Sequence, residues 1–279
     1  MSFFLSALNI YPIKSIKGIK IDDSIVRHDG LVNDRRFVLV TPDGQFISGR
    51  EYPDLTLVSA SQVSPNQWQI THPEMTNSLL LNETLFLEKY KNVTVWEDSL
   101  SAQQTQDNAN DWFSTLLGTE VELLFFGEQS KRYTSRRPDE PVGFADGYPF
   151  LLTTQASLDE LNRTCPEVIA MSQFRPNIVV EGNEAFAEDS WKRIRIGEVE
   201  FENVKPCIRC IFTTLDPLTA KRIGRGEPLK TLGKFRLLNN QEGITFGINL
   251  IALNTGHIHL NDPVEILEYQ KPDVYLDRR

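Results

Sequence analysis

The chain has 279 residues, enough to bury one large hydrophobic core or two modest ones, and 40% hydrophobic with 24% charged residues is an ordinary composition for a soluble protein. A formal net charge of −9 argues against nonspecific nucleic-acid binding and against an anionic membrane, and no apolar run approaches the ~18 residues a membrane helix needs. Three cysteines, two of them nearly adjacent, make no disulfide framework, so a reducing cytoplasmic compartment is expected, and the first residues lead straight into an expected strand rather than a signal peptide.

Residues 3–60 read as several short strands. Thr41-Pro42-Asp43-Gly44 places turn residues between the apolar runs 37–40 and 46–48, which is a hairpin signal. Further strand-like runs occupy 55–60, 67–71, 85–88 and 93–96. A helix is expected from Asp107, as N-cap, through Trp112, Phe113, Leu116 and Leu117 to Gly118 at C′, and 121–126 returns to strand. The polar, basic stretch 127–141, with its Ser and Pro residues, interrupts this pattern as a surface loop and a domain boundary.

Beyond the loop, a second helix starts at Thr154 or Ser157 and carries Leu158 and Leu161; Ser157-x-x-Glu160 fits a capping box for the later start. Strands are expected over 177–180, 191–196 and 199–204 across Gly197, 208–214 and 264–268. Trp112 and Trp191 read as core. The pattern defines an α+β chain, predominantly β, with a barrel-like or strongly curved sheet in 127–270, a smaller mixed domain in 1–126 and a tail over 271–279. No repeat or low-complexity segment interrupts it.

Basic residues cluster despite the acidic balance, at Lys14, Lys17, Lys20, Arg35, Arg36 and Arg50, and again at Lys131, Arg132, Arg136 and Arg137. A solvated charged surface is the plain explanation. Local positive charge is also what a small phosphorylated ligand needs. No glycine-rich Walker or Rossmann pattern accompanies it.

The chemistry concentrates in Lys205-Pro206-Cys207-Ile208-Arg209-Cys210-Ile211-Phe212-Thr213-Thr214-Leu215-Asp216-Pro217. A thiolate is both the nucleophile and the metal ligand, and a neighbouring cation such as Arg209 favours the ionised sulfur. Two cysteines two residues apart also fit a redox pair, although that motif opens a helix, and the flanks here favour a strand. They fit half a zinc site completed by His257 and His259, which share one face of a strand. They fit, finally, two small buried hydrophobes. Spacing alone does not separate these readings.

The wider context does. Pro206-Cys207-Ile208-Arg209-Cys210-Ile211-Phe212-Thr213-Thr214-Leu215-Asp216-Pro217 resembles the signature of the MOSC family, named for the C-terminal domain of molybdenum cofactor sulfurase, and within it the YcbX-like proteins and the mitochondrial amidoxime reducing components. Phe174-Arg175-Pro176-Asn177-Ile178-Val179-Val180 and Ala187-Glu188-Asp189-Ser190-Trp191 lie upstream in the family's order. Ile10-Tyr11-Pro12-Ile13-Lys14-Ser15 and Asp34-Arg35 extend the likeness to the amino-terminal half, as the family's N-terminal β-barrel domain.

The resemblance implies a molybdenum cofactor, with Cys210 as metal ligand and catalytic thiolate and Cys207 as a packing neighbour. Soft thiolates suit such a metal. Lys14, Ser15 and Arg35 correspond to phosphate-side residues; Asp146, in Asp146-Gly147-Tyr148-Pro149-Phe150, and Arg175 and Asn177 correspond to pterin contacts, with Ile208 and Arg209 flanking the ligand. Arg50 joins them from its place in the amino-terminal basic set. His257 and His259 match no ligand position in the family and are read as partly exposed strand residues. Cys165 reads as structural or incidental, at a helix end, and 246–249 as a segment lining the pocket.

The implied activity is reduction of N-hydroxylated compounds such as hydroxylaminopurines, hydroxylamines and amidoximes. Some relatives carry an added ferredoxin-like domain with four cysteines; this chain has no cysteine after Cys210, so electrons are expected from a separate reductase or ferredoxin-type protein, unless the chain is part of something longer. Partners reduce to that donor and a small N-hydroxylated substrate, with no nucleic acid and no membrane. A carrier of molybdenum cofactor or of sulfur is the alternative, and a zinc-binding structural module a lesser one.

Overall fold

The computed structural model of the protein describes residues 3–182 and 184–279. The chain divides into two compact units that interleave in sequence, one made of residues 1–10, 20–32 and 148–279, the other of 11–19 and 33–147.

The first unit is built on a closed barrel of seven strands: β1 (Phe3–Ile10), β2 (Phe150–Thr154), β3 (Ile178–Glu181), β4 (Trp191–Ile196), β5 (Val199–Ile208), β6 (Thr245–Ala252) and β7 (Pro263–Tyr269). Around the barrel the order is β3-β2-β6-β5-β4-β7-β1, and β1 pairs back onto β3 to close it. Among the described residues of the barrel, β2 and β3 are the parallel pair, joined through α2 (Gln155–Thr164). Closure leaves no long edge to solvent. Leu5, Leu8, Phe150, Leu152, Ile178, Val180, Ile194, Ile196, Val199, Phe201, Ile248 and Leu250 are all buried, with Phe150 and Phe201 edge to face at 5.3 Å. Each such side chain stabilises the fold by roughly 1.5–3 kcal/mol through removal from water. Trp191 and Trp112 are core residues, as their sequence context suggested.

Thr154 caps α2, its hydroxyl accepting from the Ser157 N–H at 3.2 Å, so the helix takes the earlier of its two possible starts. A second cluster forms where α2 meets α3 (Leu229–Leu232): Leu158, Leu161, Ile169, Phe174, Leu232, Phe235 and Phe246. Strand Gly256–His259 pairs with Asp23–Arg27, and Tyr275–Leu276 with Leu237–Leu238, so the final residues carry a short strand.

The second unit holds a four-stranded sheet of Phe37–Val40, Glu122–Phe125, Asp98–Gln104 and Tyr90–Val95, and a three-stranded one of Ser59–Ser64, Gln67–Thr71 and Leu79–Asn82. Its core is aliphatic and aromatic: Val38, Val40, Val93, Val95, Leu100, Ala102, Leu124, Phe126 and Phe144. The hairpin after Val40 forms around Gly44 at φ +85°, where glycine is the residue that meets no backbone penalty. α1 spans Asp107–Leu117 with Gly118 left-handed at its C-terminus, Gln106 rather than Asp107 standing at the N-cap.

Three expected strands are replaced in whole or part by 3-10 turns: Pro53–Leu57, Glu83–Leu85 and Ile211–Thr214. In each, a short polar side chain satisfies nearby backbone. Thr56 donates to the Pro53 carbonyl, Asn82 accepts from the Thr84 N–H, and Thr213 and Thr214 donate to the Cys210 and Ile211 carbonyls at 2.9 and 2.7 Å. Such local bonds compete with the ladder that β-branched residues otherwise favour.

Candidate functional site

The expected site residues fall into two groups, one in each unit. In the barrel unit, β5 carries the cysteines at its end. Pro206 has no N–H to give the ladder, and the register against β6 slips between Asn203 and Lys205 and again between Pro206 and Ile208. The last backbone bond runs from the Arg209 N–H to the Ile244 carbonyl at 2.7 Å, after which Cys210 stands at the head of the Ile211–Thr214 turn. Both cysteines are partly exposed, which sets aside the view of them as small core hydrophobes. Ile208 lies 41% exposed over Gly243.

Arg209 braces this turn. Its Nη1 donates to Cys207 Sγ at 2.9 Å and its Nη2 to the Phe174 carbonyl at 2.6 Å, with the guanidinium 5.5 Å from the Phe174 ring. Phe174 in turn stacks on Phe246 at 3.9 Å. The cation therefore contacts the thiol of Cys207, giving that residue more than a packing role. Arg209 Nε is buried without a hydrogen-bond partner. Gln173, also buried, ties the same two segments, its side-chain amide donating to the Thr213 carbonyl at 2.9 Å.

Arg175 follows Phe174 with φ +57°, a left-handed conformation uncommon outside glycine, and its guanidinium lies 5.5 Å from the Phe212 ring. Asn177 is buried, and its amide is committed to backbone: Oδ1 accepts from the Leu151 N–H at 3.3 Å and Nδ2 donates to the Asn9 carbonyl at 3.2 Å. It thereby fastens β1, β2 and the entry to β3, the frame that carries Arg175. Phe246 is fully buried, whereas Asn249, half-buried, reaches the Pro206 carbonyl.

In the other unit, Lys14 is buried with its ammonium donating to Asp146 Oδ1 at 2.5 Å and the Phe144 carbonyl at 2.9 Å. Burial pushes its pKa down, against the pull of Asp146. Surrounding protein would push the Asp146 carboxyl up, but that side chain is still 69% open to solvent; the Lys14 charge and hydrogen bond, with the Arg50 charge and the Trp96 N–H, hold it well below the usual carboxylate range. Arg50 lies 4.2 Å over the Trp96 ring and Trp96 donates to Asp146 at 3.3 Å, so Arg50 joins Lys14 and Asp146 in one cluster.

Ser15, at φ +75°, accepts from the Gly49 N–H at 3.0 Å. Arg35, at φ +46°, pairs with buried Asp34 at 2.6 Å and lies 4.1 Å over Tyr11. Two members of this cluster escaped the sequence reading. Arg132, grouped there with surface charges, is buried: it donates to the Gly143, Ala145 and Asp146 carbonyls and pairs with Asp98 at 2.7 Å, shaping the loop that presents Asp146. Trp96, at φ +58°, carries no signal beyond its place at a strand end.

Three of the ten expected site residues, Ser15, Arg35 and Arg175, are thus non-glycine residues held left-handed. Such strain persists where the surrounding structure dictates it, and it gathers at ligand sites. His257 and His259 lie on their expected strand, partly exposed. Among the described residues, the group they form with potential metal ligands contains Asp23 and neither cysteine. The four-ligand zinc site of two cysteines and two histidines is therefore not assembled.

A closed barrel ending in a braced thiol turn, and a β-rich unit with a basic cluster, are the parts of a two-domain β protein. The chain matches the MOSC N-terminal beta barrel domain over residues 2–120 and the MOSC domain over 139–265, and it belongs to the MOSC family. It is 34% identical to mitochondrial amidoxime reducing component 2 of Macaca fascicularis and 33% to that of Homo sapiens, each alignment covering 93% of this chain and 82% of the relative. It is 31% identical to mitochondrial amidoxime-reducing component 1 of Danio rerio, over 95% of this chain and 85% of that protein. Among the described residues no helix is long and apolar enough to cross a membrane.

Proposed function

We propose that this chain is a molybdenum-cofactor-dependent oxidoreductase that reduces N-hydroxylated compounds, including N-hydroxylated base analogues, hydroxylamines and amidoximes. The reading rests on relatives named for amidoxime reduction that align along nearly the whole chain. The observation that carries it is the thiol turn: Cys210 partly open just past a broken ladder, beside an arginine whose Nε is buried without a partner.

These residues suit the group. Cys210 offers a soft ligand to a redox metal. Arg175, Ile208, Arg209 and Asp146 are suited to contact a pterin, and Lys14, Ser15, Arg35 and Arg50 to hold its phosphate through point charge and forked donors. Asn177 acts on Arg175 through the barrel backbone. When bound, the cofactor would supply the two-electron couple.

The chain's own part is to bind and orient. Arg209 holds the turn by gripping Cys207 and the Phe174 carbonyl, so the Cys210 backbone stays in place. Cleaving one N–O bond takes two electrons and two protons and releases water. These 279 residues hold three cysteines, one short of a four-cysteine iron–sulfur cluster, and the reading assigns the electrons to a separate donor protein. An acidic chain with free cysteines fits a reducing, cytoplasmic setting.

The test is reduction of an aromatic amidoxime by cofactor-loaded protein with a low-potential dye as donor. Amidine formation that is abolished by Cys210→Ala and survives Cys207→Ala is the expected result. Loaded protein that turns over no N-hydroxylated compound, yet passes its cofactor to an apoenzyme, would replace this reading with the carrier.

A further inference from the structure

A second cluster, outside both groups of site residues, has the makings of a metal site. Strand Gly256–His259 runs antiparallel to Asp23–Arg27 with His259 directly opposite Asp23 and His257 opposite Ile25. Side chains two apart on a strand share a face, and a directly opposed residue shares it too. His257, His259 and Asp23 therefore point the same way. His257 Nε2 lies 2.7 Å from Asp23 Oδ2, the two imidazole rings are 4.4 Å apart, and one ligand atom from each of the three falls within 4.8 Å of the others.

We propose that Asp23, His257 and His259 bind a divalent transition-metal cation, zinc, at the barrel unit's surface. Zinc takes imidazole nitrogen and carboxylate oxygen at about 2.0–2.2 Å, which in a tetrahedron sets ligands roughly 3.3–3.5 Å apart. The 2.7 Å His257–Asp23 pair opens to that spacing, and separations of up to 4.8 Å close to it, by about 1 Å of side-chain rotation, open to groups that are 41%, 54% and 56% exposed. As the cation enters between His257 and Asp23, the imidazole stays neutral by carrying its proton on Nδ1, which frees the Nε2 lone pair for the metal. Two imidazoles and a carboxylate suit zinc, whereas magnesium and calcium favour oxygen donors throughout.

The surroundings hold the ligands from behind. Asp262 Oδ2 accepts from the His259 N–H at 2.8 Å and lies 3.7 Å from His259 Nδ1, so one ring nitrogen faces a carboxylate and the other is left for a metal. A carboxylate behind a ligating histidine fixes its tautomer and raises its basicity. The His257 N–H is anchored to Glu198 Oε1 at 2.7 Å, and the Leu260 N–H to the Asp22 carbonyl at 2.7 Å, so the backbone under all three ligands is pinned. Three protein ligands leave a fourth position for water, and the bound ion clips the two strands together.

Zinc titration by calorimetry, on protein without a histidine tag, tests this together with thermal melting. One zinc per chain at micromolar affinity is expected, with a rise in melting temperature. His257→Ala and His259→Ala each abolish both effects, and Asp262→Asn weakens binding by roughly 10–100-fold while leaving the metal-free melting temperature in place. The Cys207→Ser/Cys210→Ser double variant keeps the site. Zinc binding that survives both histidine substitutions, that vanishes only with the cysteines, or that is absent from the unaltered protein would overturn the assignment.

Discussion

Glu188 is completely buried, its carboxylate accepting from the Ser157 hydroxyl at 2.8 and 3.0 Å and the Thr154 hydroxyl at 3.0 Å. Burial, reinforced by the charge of Asp189, raises its pKa from 4.5 to about 7, against the help of its own backbone N–H, the Ser157 hydroxyl and Arg236. The folded chain thus holds a proton that the unfolded chain releases across that window. Its contribution to stability is fully present below the unfolded value and is lost as the pH rises through the folded one. Urea unfolding at pH values on either side of the window should show stability falling with pH, and Glu188→Gln should flatten the fall. An unchanged slope would place the charge elsewhere. Beside it, Asp189 and Arg236 form a buried two-point ion pair at 2.6 and 3.0 Å, with Tyr275 under the guanidinium at 3.9 Å. As a motif, Ala187-Glu188-Asp189-Ser190-Trp191 was plain in the sequence. Which of its acids sits among hydroxyls and which pairs with an arginine was not, because that depends on Ser157 and Arg236, 31 and 47 positions away.

Among the elements, alternation and turn chemistry made most barrel strands and both longer helices legible. The exceptions share a cause. Ile211-Phe212-Thr213-Thr214 has strand-forming residues, but its threonine hydroxyls bond three residues back and Pro206 has already broken the ladder. The cysteines consequently end a strand and head a turn rather than opening a strand. Gly247 shows the converse, a requirement that composition hides: it sits in β6 at φ +78°, where a Cβ would meet the Leu152 carbonyl oxygen at 2.6 Å. Gly247→Ala should destabilise the barrel by at least ~1 kcal/mol, read by denaturant unfolding, because it combines a left-handed backbone with a backbone clash. A neutral result would mean that β2 and β6 can part at that point without penalty.

For the whole molecule, the net charge of −9 hides a local excess of cations. In one unit the charges of Arg35 and Arg132 bear on Lys14, and those of Lys14 and Arg50 on Asp146, while the other unit carries the thiols. Motifs in family order pointed to Lys14, Arg35 and the thiols, and the basic set to Arg50, whereas Arg132 was grouped with surface charges. Their inner division of labour was out of reach: Asn177 serves the barrel, Arg132 shapes the Asp146 loop, and Arg209 grips Cys207. Each of those roles is a hydrogen bond to backbone or sulfur, and no periodicity in sequence records it. The interleaving of the two units was equally hidden, since the paired residues of β1 and β3 lie 170–177 positions apart and a cut at one loop looks sufficient until that pair is seen.

The central claim is that Cys210 holds a molybdenum cofactor. Metal and pterin content should be measured in protein made in cells with cofactor synthesis intact, comparing the unaltered chain with Cys210→Ala and Cys207→Ala. The account predicts molybdenum and pterin in equal amounts, with molybdenum lost in Cys210→Ala and kept in Cys207→Ala. Zinc without pterin, lost equally with either cysteine, would contradict it.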